Sequence, residues 1–406
     1  MSPDRKRLAV HLYPAAERAV KGGHPWVYAE GIKQQRHPGR PGDLAVIFDQ
    51  KDRFLAIGLF DPASPIRIRV LHCGEPETID RDWFIGRIRV ACELRQALSA
   101  FDTTGFRLVH GENDGLPGLV VDRYGDSVVV KIYTVAWLPY LDDVLAGLGV
   151  LVRPDRVVLR LSRAVGRAVE DDPGLQDGQM LLGEAPSEPV KFQENGLWFE
   201  ADLLRGQKTG FFLDQRDNRA RVEELSAGKS VLNVFAYTGG FSVYAARGGA
   251  HSVISLDASG PALAAAERNF QLNRSNAGVA AAHHTIAHGD AFELIPKMRD
   301  RGERFDVVVL DPPSFAKSQS EVQRALSGYA RILRLGLDVL SDPGVLVAAS
   351  CSSRITADRF RALVEDAAAK AGRTLDVLQQ TGHPLDHPIG FPEGAYLKCV
   401  FADVGG

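Results

Sequence analysis

The feature that most constrains the fold is a rhythm in the second half of the chain. From about residue 215, short apolar runs alternate with amphipathic stretches. VLNVFAY precedes a predicted helix over Phe241–Arg247, SVISLD precedes Pro261–Asn273, and HTIAHGD precedes Phe292–Arg301. FDVVVLD then precedes Glu321–Leu340, and GVLVAAS precedes Ala357–Ala371. Apolar strands alternating with helices bury both faces of a parallel sheet, which predicts an α/β, Rossmann-like domain. In such sheets ligands bind beyond the carboxyl ends of the strands. Those ends carry useful chemistry here: Tyr237-Thr238-Gly239-Gly240, Asp257, Gly289-Asp290-Ala291, Asp311-Pro312-Pro313 and Cys351. A strand-end acid can be a plain helix N-cap. Four strand ends in register behind a glycine loop point instead to a nucleotide-like ligand. A full G-x-G-x-x-G and a Walker lysine are both missing, which argues against dinucleotides and ATP hydrolysis.

The preceding chain reads differently. Residues 1–75 carry short apolar runs between Pro/Gly/Asp turns, including the hairpin LAVIF-DQKDR-FLAIGLF, and predict a small β-barrel. Residues 76–187 form an α+β segment: a helix with Trp83, Phe84, Ile88, Ala91, Leu94 and Leu98 on one face, then strands at FRLVHGE, GLVVDRY and SVVVKIY. From 188, VKFQENGLWFEADLL reads as a hairpin about Asn195-Gly196, leading into a third domain that runs to 406.

Composition narrows the class. With 45% hydrophobic and 24% charged residues in 406, the chain can bury a large core. The net charge of −3 excludes a uniformly basic coat, yet the first 40 residues hold eight Lys/Arg against three Asp/Glu. That excess is either a solvated face or an RNA-facing patch. The four scattered cysteines and the lack of a secretory h-region or long apolar stretch predict a cytoplasmic protein without metal, disulfide or membrane span. Cys73, Cys92 and Cys399 fall in core patterns. Trp26 and Tyr28 are core residues or base-stacking ones, and His383, Asp386 and His387 sit in a Pro/Gly loop too sparse in ligands for a metal.

NVFAYTGGFS, LDAS, GDAF and LDPPSF, in this order, resemble the motifs of class I S-adenosylmethionine (SAM)-dependent methyltransferases. GQKTGFFLDQRDNR, FRLVHGENDGLPGLVVDRYGD, GHPWVYAEGI, SCSS and GFPEGAYLKCVF together resemble the RlmI-like family of large-subunit (23S) ribosomal RNA cytosine-C5 methyltransferases, over nearly the whole chain. The resemblance implies an N-terminal PUA RNA-binding barrel, a central α+β domain, SAM as cofactor, rRNA as partner and a homodimer. It implies that Phe235, Ala236, Tyr237, Thr238, Gly239 and Gly240 line the methionine part of the cofactor. Asp257 and Ala258 then hold the ribose, Asp290 and Ala291 the adenine, with Asp311 and Pro312 beside them. Gln207, Lys208, Thr209, Phe211, Asp214 and Arg216 close the pocket, and Pro313, Ser314, Phe315 and Lys317 face the substrate.

Cys351 and Asp311 are the catalytic candidates. C5 of a pyrimidine accepts a methyl group only after a thiolate adds at C6, and a half-open strand end followed by Ser352, Ser353 and Arg354 suits such a thiol. Arg354 could help stabilise the thiolate. One departure matters: two-cysteine cytosine enzymes carry Pro-Cys where this chain has Pro312-Pro313-Ser314. Uracil C5, an exocyclic amine, or a non-catalytic assembly role therefore stay open as alternatives.

Overall fold

The structure, a computed structural model, describes residues 7–172, 174–315 and 319–406. The chain forms two compact units. The first holds residues through Asn195 together with Ala201–Phe211 and Leu385–Phe391. The second holds Gly196–Glu200, Phe212–Pro384 and Pro392–Gly406.

The first unit begins with β1 (Arg7–Leu12), α1 (Pro14–Lys21), β2 (Trp26–Tyr28), β3 (Ile32–Gln35), β4 (Leu44–Phe48), β5 (Phe54–Phe60) and β6 (Ile66–Cys73). Their strands form one sheet in the order β2-β6-β5-β4-β1-β3. Period-two alternation sends Leu8, Val10 and Leu12 of β1 inward. The β4–β5 hairpin forms as the sequence predicts: Asp49 accepts the N–H groups of Lys51 and Arg53 and grips the Arg53 guanidinium. Cys73, expected in the core, is exposed, because β6 ends there.

Next come α2 (Arg81–Leu94), β7 (Gly105–His110), β8 (Leu119–Tyr124), β9 (Ser127–Ile132), α3 (Leu141–Leu151), β10 (Arg156–Leu161), α4 (Arg163–Ala168) and β11 (Gln179–Leu182). The strands form a second sheet, ordered β11-β10-β9-β8-β7. Asp80 caps α2 by accepting the Trp83 N–H at 3.0 Å. Trp83, Phe84, Ile88 and Ala91 are buried as the helical period requires. Leu94, expected on that face, is 42% exposed because the α-helix stops at it. Leu44, Ile57, Leu59 and Leu71 of the first sheet share one apolar core with Phe84, Trp137 and Tyr140. The hydroxyl of Tyr140 donates to the Gly42 carbonyl at 2.8 Å across the same seam.

β12 (Val190–Glu194) and β13 (Leu197–Ala201) pair as a hairpin. Asn195 and Gly196 both have positive φ, 48° and 76°, as a type I′ turn demands.

The second unit contains α5 (Arg216–Glu224), β14 (Ser230–Val234), α6 (Gly240–Arg247), β15 (Ser252–Asp257), α7 (Gly260–Leu272), α8 (Ala277–Ala281) and β16 (His283–His288). It continues with α9 (Ala291–Asp300), β17 (Phe305–Leu310), α10 (Val322–Asp338), β18 (Leu340–Ser350), α11 (Ala357–Lys370), β19 (Thr374–Thr381) and β20 (Lys398–Gly405). Among the described residues the sheet has seven strands, ordered β16-β15-β14-β17-β18-β20-β19. The first five run parallel, and β20 is antiparallel to both neighbours. This is the Rossmann-like sheet the alternation predicts, extended by two strands the sequence did not announce. Leu232, Val308 and Leu346 pack with Tyr329 and Leu333 of α10 and Phe360 and Val364 of α11. Among the described residues no helix is long and apolar enough to cross a membrane.

Candidate active site at the carboxyl edge of the second unit

Backbone register aligns the strand ends. Val234 lies beside Leu256 on one side and Leu310 on the other, and Leu310 lies beside Ala348. One residue further, Phe235, Asp257 and Asp311 are therefore level, and Cys351 stands two residues beyond the level of Asp311. The strand order reverses between β14 and β17, so Phe235 and Asp311 flank the switch point, where such sheets open a crevice.

The first loop is held in a costly backbone. Phe235, Tyr237 and Gly239 have φ of 61°, 49° and 76°. For bulky residues that conformation costs on the order of 1–3 kcal/mol each and persists only where neighbours impose it. Here they do. Ala236 N–H donates to the Leu256 carbonyl at 2.9 Å, and Tyr237 N–H to Asp257 Oδ2 at 2.8 Å. Asn269 Nδ2 holds the Thr238 carbonyl at 2.8 Å. A Cβ on Gly239 would sit 2.8 Å from the Ala266 Cβ, so any other residue there forces a neighbour to shift. The Thr238 hydroxyl is buried without a protein partner.

Asp257 is half-buried and also accepts the Ser259 N–H at 2.8 Å through Oδ1. Each carboxylate oxygen has two acceptor sites, so both still have capacity for hydroxyl donors. Asp290 is exposed and caps α9, accepting Phe292 N–H at 2.7 Å. That is the plain cap role, with lone pairs to spare. Ala291 behind it is buried, and the Ala258 carbonyl meets His288 Nε2 at 3.1 Å.

On the other side of the switch point, Asp311 is half-buried, Pro312 buried and Pro313 exposed. The Phe315 ring lies 4.8 Å from that of Tyr329, centroid to centroid. Ser314 is half-buried in the same turn. Lys317 lies outside the described residues. Cys351 is half-buried where β18 ends. Ser350, just before it, donates to the Tyr329 hydroxyl at 3.0 Å. Burial pushes Tyr329 up to about 12 against the hydrogen bond from Ser350, and Cys351 and Asp311, when ionised, would push the same way.

Two residues here were not singled out in the sequence. Tyr329 hides on the buried face of α10. Lys398 is buried in β20, opposite Ser350, and its ammonium donates to the carbonyls of Ser352 and Ile355. The signal was a lysine inside the otherwise apolar LKCVF. Arg354, expected beside the thiol, is exposed, and its N–H faces Ser352 Oγ at 3.4 Å. Cys399 is fully buried, as its pattern predicts, and Cys92 is half-buried.

The GQKTGFFLDQRDNR segment divides between the units. In the first, Thr209 Oγ1 donates to Asp122 at 2.6 Å and meets the Tyr124 hydroxyl at 2.9 Å. Phe211 N–H donates to that hydroxyl, and Lys131 Nζ holds the Lys208 carbonyl. Gln207 is exposed, and its carbonyl accepts Gly210 N–H. In the second unit Asp214 and Arg216 are buried, and the Tyr396 hydroxyl donates to Asp214 at 2.8 Å. The Pro/Gly loop divides too. His383 accepts the Leu397 N–H in the second unit. Asp386 in the first accepts Arg107 N–H, and Arg95 holds its carbonyl. Among the described residues no cluster of three His, Cys, Asp or Glu could hold a metal.

Comparison with known proteins gives this geometry a family. Residues 176–401 match the S-adenosylmethionine-dependent methyltransferase family, and residues 10–72 match a PUA-like domain. A ribosomal RNA large subunit methyltransferase of Deinococcus radiodurans is 47% identical over 400 residues, covering 97% of each chain. The chain belongs to the SAM-dependent ribosomal RNA large subunit methyltransferase family. The Aeromonas hydrophila ribosomal RNA large subunit methyltransferase I is 38% identical to this methyltransferase, covering 96% of this chain and 98% of the relative. A solved methyltransferase structure in complex with SAH superposes at TM-score 0.83 with 24% identity, over 98% of this chain and 99% of the other, and shares the fold. The cofactor of this methyltransferase is SAM. The residues present fit it: the orphaned Thr238 hydroxyl, the spare lone pairs of Asp257 and the glycine loop offer what an adenosyl-methionine group needs in hydrogen-bond partners and close backbone approach.

Proposed function

We propose that this methyltransferase acts on large-subunit ribosomal RNA and forms 5-methylcytosine through Cys351. The single observation that carries the reading is the half-buried thiol just past the end of β18, two residues beyond the level of Asp311. The relatives' names support rRNA as the substrate. Phe235 through Gly240 hold the methionine part of SAM, Asp257 with Ala258 the ribose, and Asp290 with Ala291 the adenine. Asp311 and Pro312 also belong to the cofactor-binding set, and Asp214 and Arg216 serve the same pocket. Pro313, Ser314, Phe315 and Lys317 meet the target nucleotide.

When bound, SAM supplies an electrophilic methyl group. The Cys351 thiolate forms a bond to C6 of the pyrimidine, and C5 becomes an enamine carbon able to take that methyl. A base then removes the C5 proton, the C5–C6 double bond re-forms, and the thiolate leaves. Asp311 hydrogen-bonds the N3/N4 edge and steadies the charge of the adduct. Cys351→Ala should lower methylation by several decades, more than one lost hydrogen bond explains, while SAM still binds. Methyl transfer is measured with unmodified rRNA fragments, and the base is identified by nucleoside mass spectrometry. A fully active Cys351→Ala enzyme would contradict the thiol chemistry and favour an exocyclic amine at the Asp311-Pro312-Pro313 turn. Product at uracil C5 would keep the thiol and change the base.

A further inference from the structure

Lysine is almost never fully buried unless its charge is compensated. Lys398 is 2% exposed. It opens β20 directly opposite Ser350, the last residue of β18. Its ammonium donates to the carbonyl of Ser352, and to that of Ile355 at 2.6 Å. Those two carbonyls bracket the turn that follows Cys351. An ammonium has three donors, and two of them fasten this turn. Burial draws Lys398 down to about 8, and a thiolate at Cys351 would oppose that shift. The geometry brings the two together independently, because the ammonium donates to the carbonyl of Ser352, the residue that follows the thiol.

Among the described residues, the neighbouring groups named here do not take over this task. Asp311, at the end of β17, is an anion whose field reaches Tyr329 and Cys399, so it opposes a second negative charge nearby. Tyr329 on α10 and Cys399 on β20 are pushed up by burial and stay neutral. Arg354, on the turn itself, is exposed. His383 uses Nε2 to accept the Leu397 N–H. Lys398 is the buried cation of this set.

We propose that Lys398 is a positioning residue for Cys351: it clamps the Ser352–Ile355 turn and places a positive charge that favours the thiolate over the thiol. The functional consequence rests on the reading of Cys351 as nucleophile. The electrostatic pairing is tested apart from it.

The test is the pH profile of Cys351 alkylation by iodoacetamide in the full-length protein, read at the Cys351 peptide by mass spectrometry. Wild type, Lys398→Met and Lys398→Arg are compared, with SAM affinity by calorimetry as the control for folding. The wild-type midpoint should lie below the ordinary thiol value of about 8.5. Lys398→Met should move it upward by about one unit, slowing alkylation at pH 7 roughly tenfold. Lys398→Arg should restore most of the rate, with SAM affinity equal in all three. Coincident profiles for wild type and Lys398→Met would overturn the proposal. Should Lys398→Met not fold, the wild-type profile decides alone, and a midpoint at or above about 8.5 overturns it. Covalent trapping on RNA carrying 5-fluorocytosine separates the two readings. A lysine-dependent profile without trapping contradicts only the nucleophile, and trapping with coincident profiles contradicts only the lysine.

Discussion

Asp257 is held from two sides by backbone, through the Tyr237 and Ser259 N–H groups, and keeps lone pairs for hydroxyl donors. Asp257→Ala should weaken SAM binding by roughly 1.5–3 kcal/mol, one to two decades in Kd. Calorimetry giving an unchanged Kd would contradict the ribose assignment. This acid was legible in the sequence because it ends an apolar run, SVISLD, at a fixed place in the strand–helix rhythm. Cys351 was legible for the same reason. Lys398 was not, because its role depends on which strand lies beside β18, and that antiparallel pairing joins segments far apart in the chain. Arg354 drew the eye by sequence proximity, yet a residue three positions along a turn points wherever the turn sends it.

Elements differ in how openly they announce themselves. β14 to β18 are apolar runs between glycines, acids and helices, and their order follows from parallel-sheet rules. β19 alternates weakly, with Gln379 and Gln380 on an edge strand, and β20 opens on a buried charge, so neither reads as a strand. The loop between β14 and α6 depends on Gly239. Gly239→Ala would combine a left-handed φ with a clash against Ala266. It should cost about 1–3 kcal/mol, measured by denaturant unfolding, and an unchanged midpoint would show the loop to be softer than the geometry requires. At the edge strand β16, His284 stacks on Phe270 with centroids 3.7 Å apart and meets Ser255 Oγ at 2.9 Å. Burial first, then the charges of His283 and Arg274, draws it from 6.5 down to about 4. The folded state therefore favours neutral imidazole. Its contribution is present above pH 6.5 and is lost as pH falls toward 4. Thermal melts should show that loss in wild type and a smaller one in His284→Gln. Parallel pH curves would contradict it.

At the scale of the molecule, the first sheet and the central sheet share a core, with Leu44, Ile57, Leu59 and Leu71 packed against Phe84 and Trp137. The sequence suggested two separable segments because the turn chemistry changes near residue 75, and patterning cannot show that two apolar faces meet. An RNA role for the N-terminal sheet is therefore better probed at its surface than by deletion. A cavity lined by Lys33, Gln34, Gln35 and Arg67 offers cations to phosphate. Lys33→Glu and Arg67→Glu should each weaken rRNA binding and make the slope of log affinity against log salt shallower by about 0.7–0.9 for each phosphate no longer neutralised, leaving SAM affinity unchanged. An unaltered salt slope would place the RNA elsewhere. The central claim is that Cys351 attacks C6 of a cytosine in ribosomal RNA, and one measurement meets it directly. Substrate RNA carrying 5-fluorocytosine is incubated with the full-length enzyme and SAM, and the products are mapped by mass spectrometry. Fluorine cannot leave C5 as a proton does, so the account predicts a stable protein–RNA adduct on the Cys351 peptide, absent in Cys351→Ala. An enzyme that methylates unmodified RNA yet forms no adduct, or forms one at another cysteine, contradicts it.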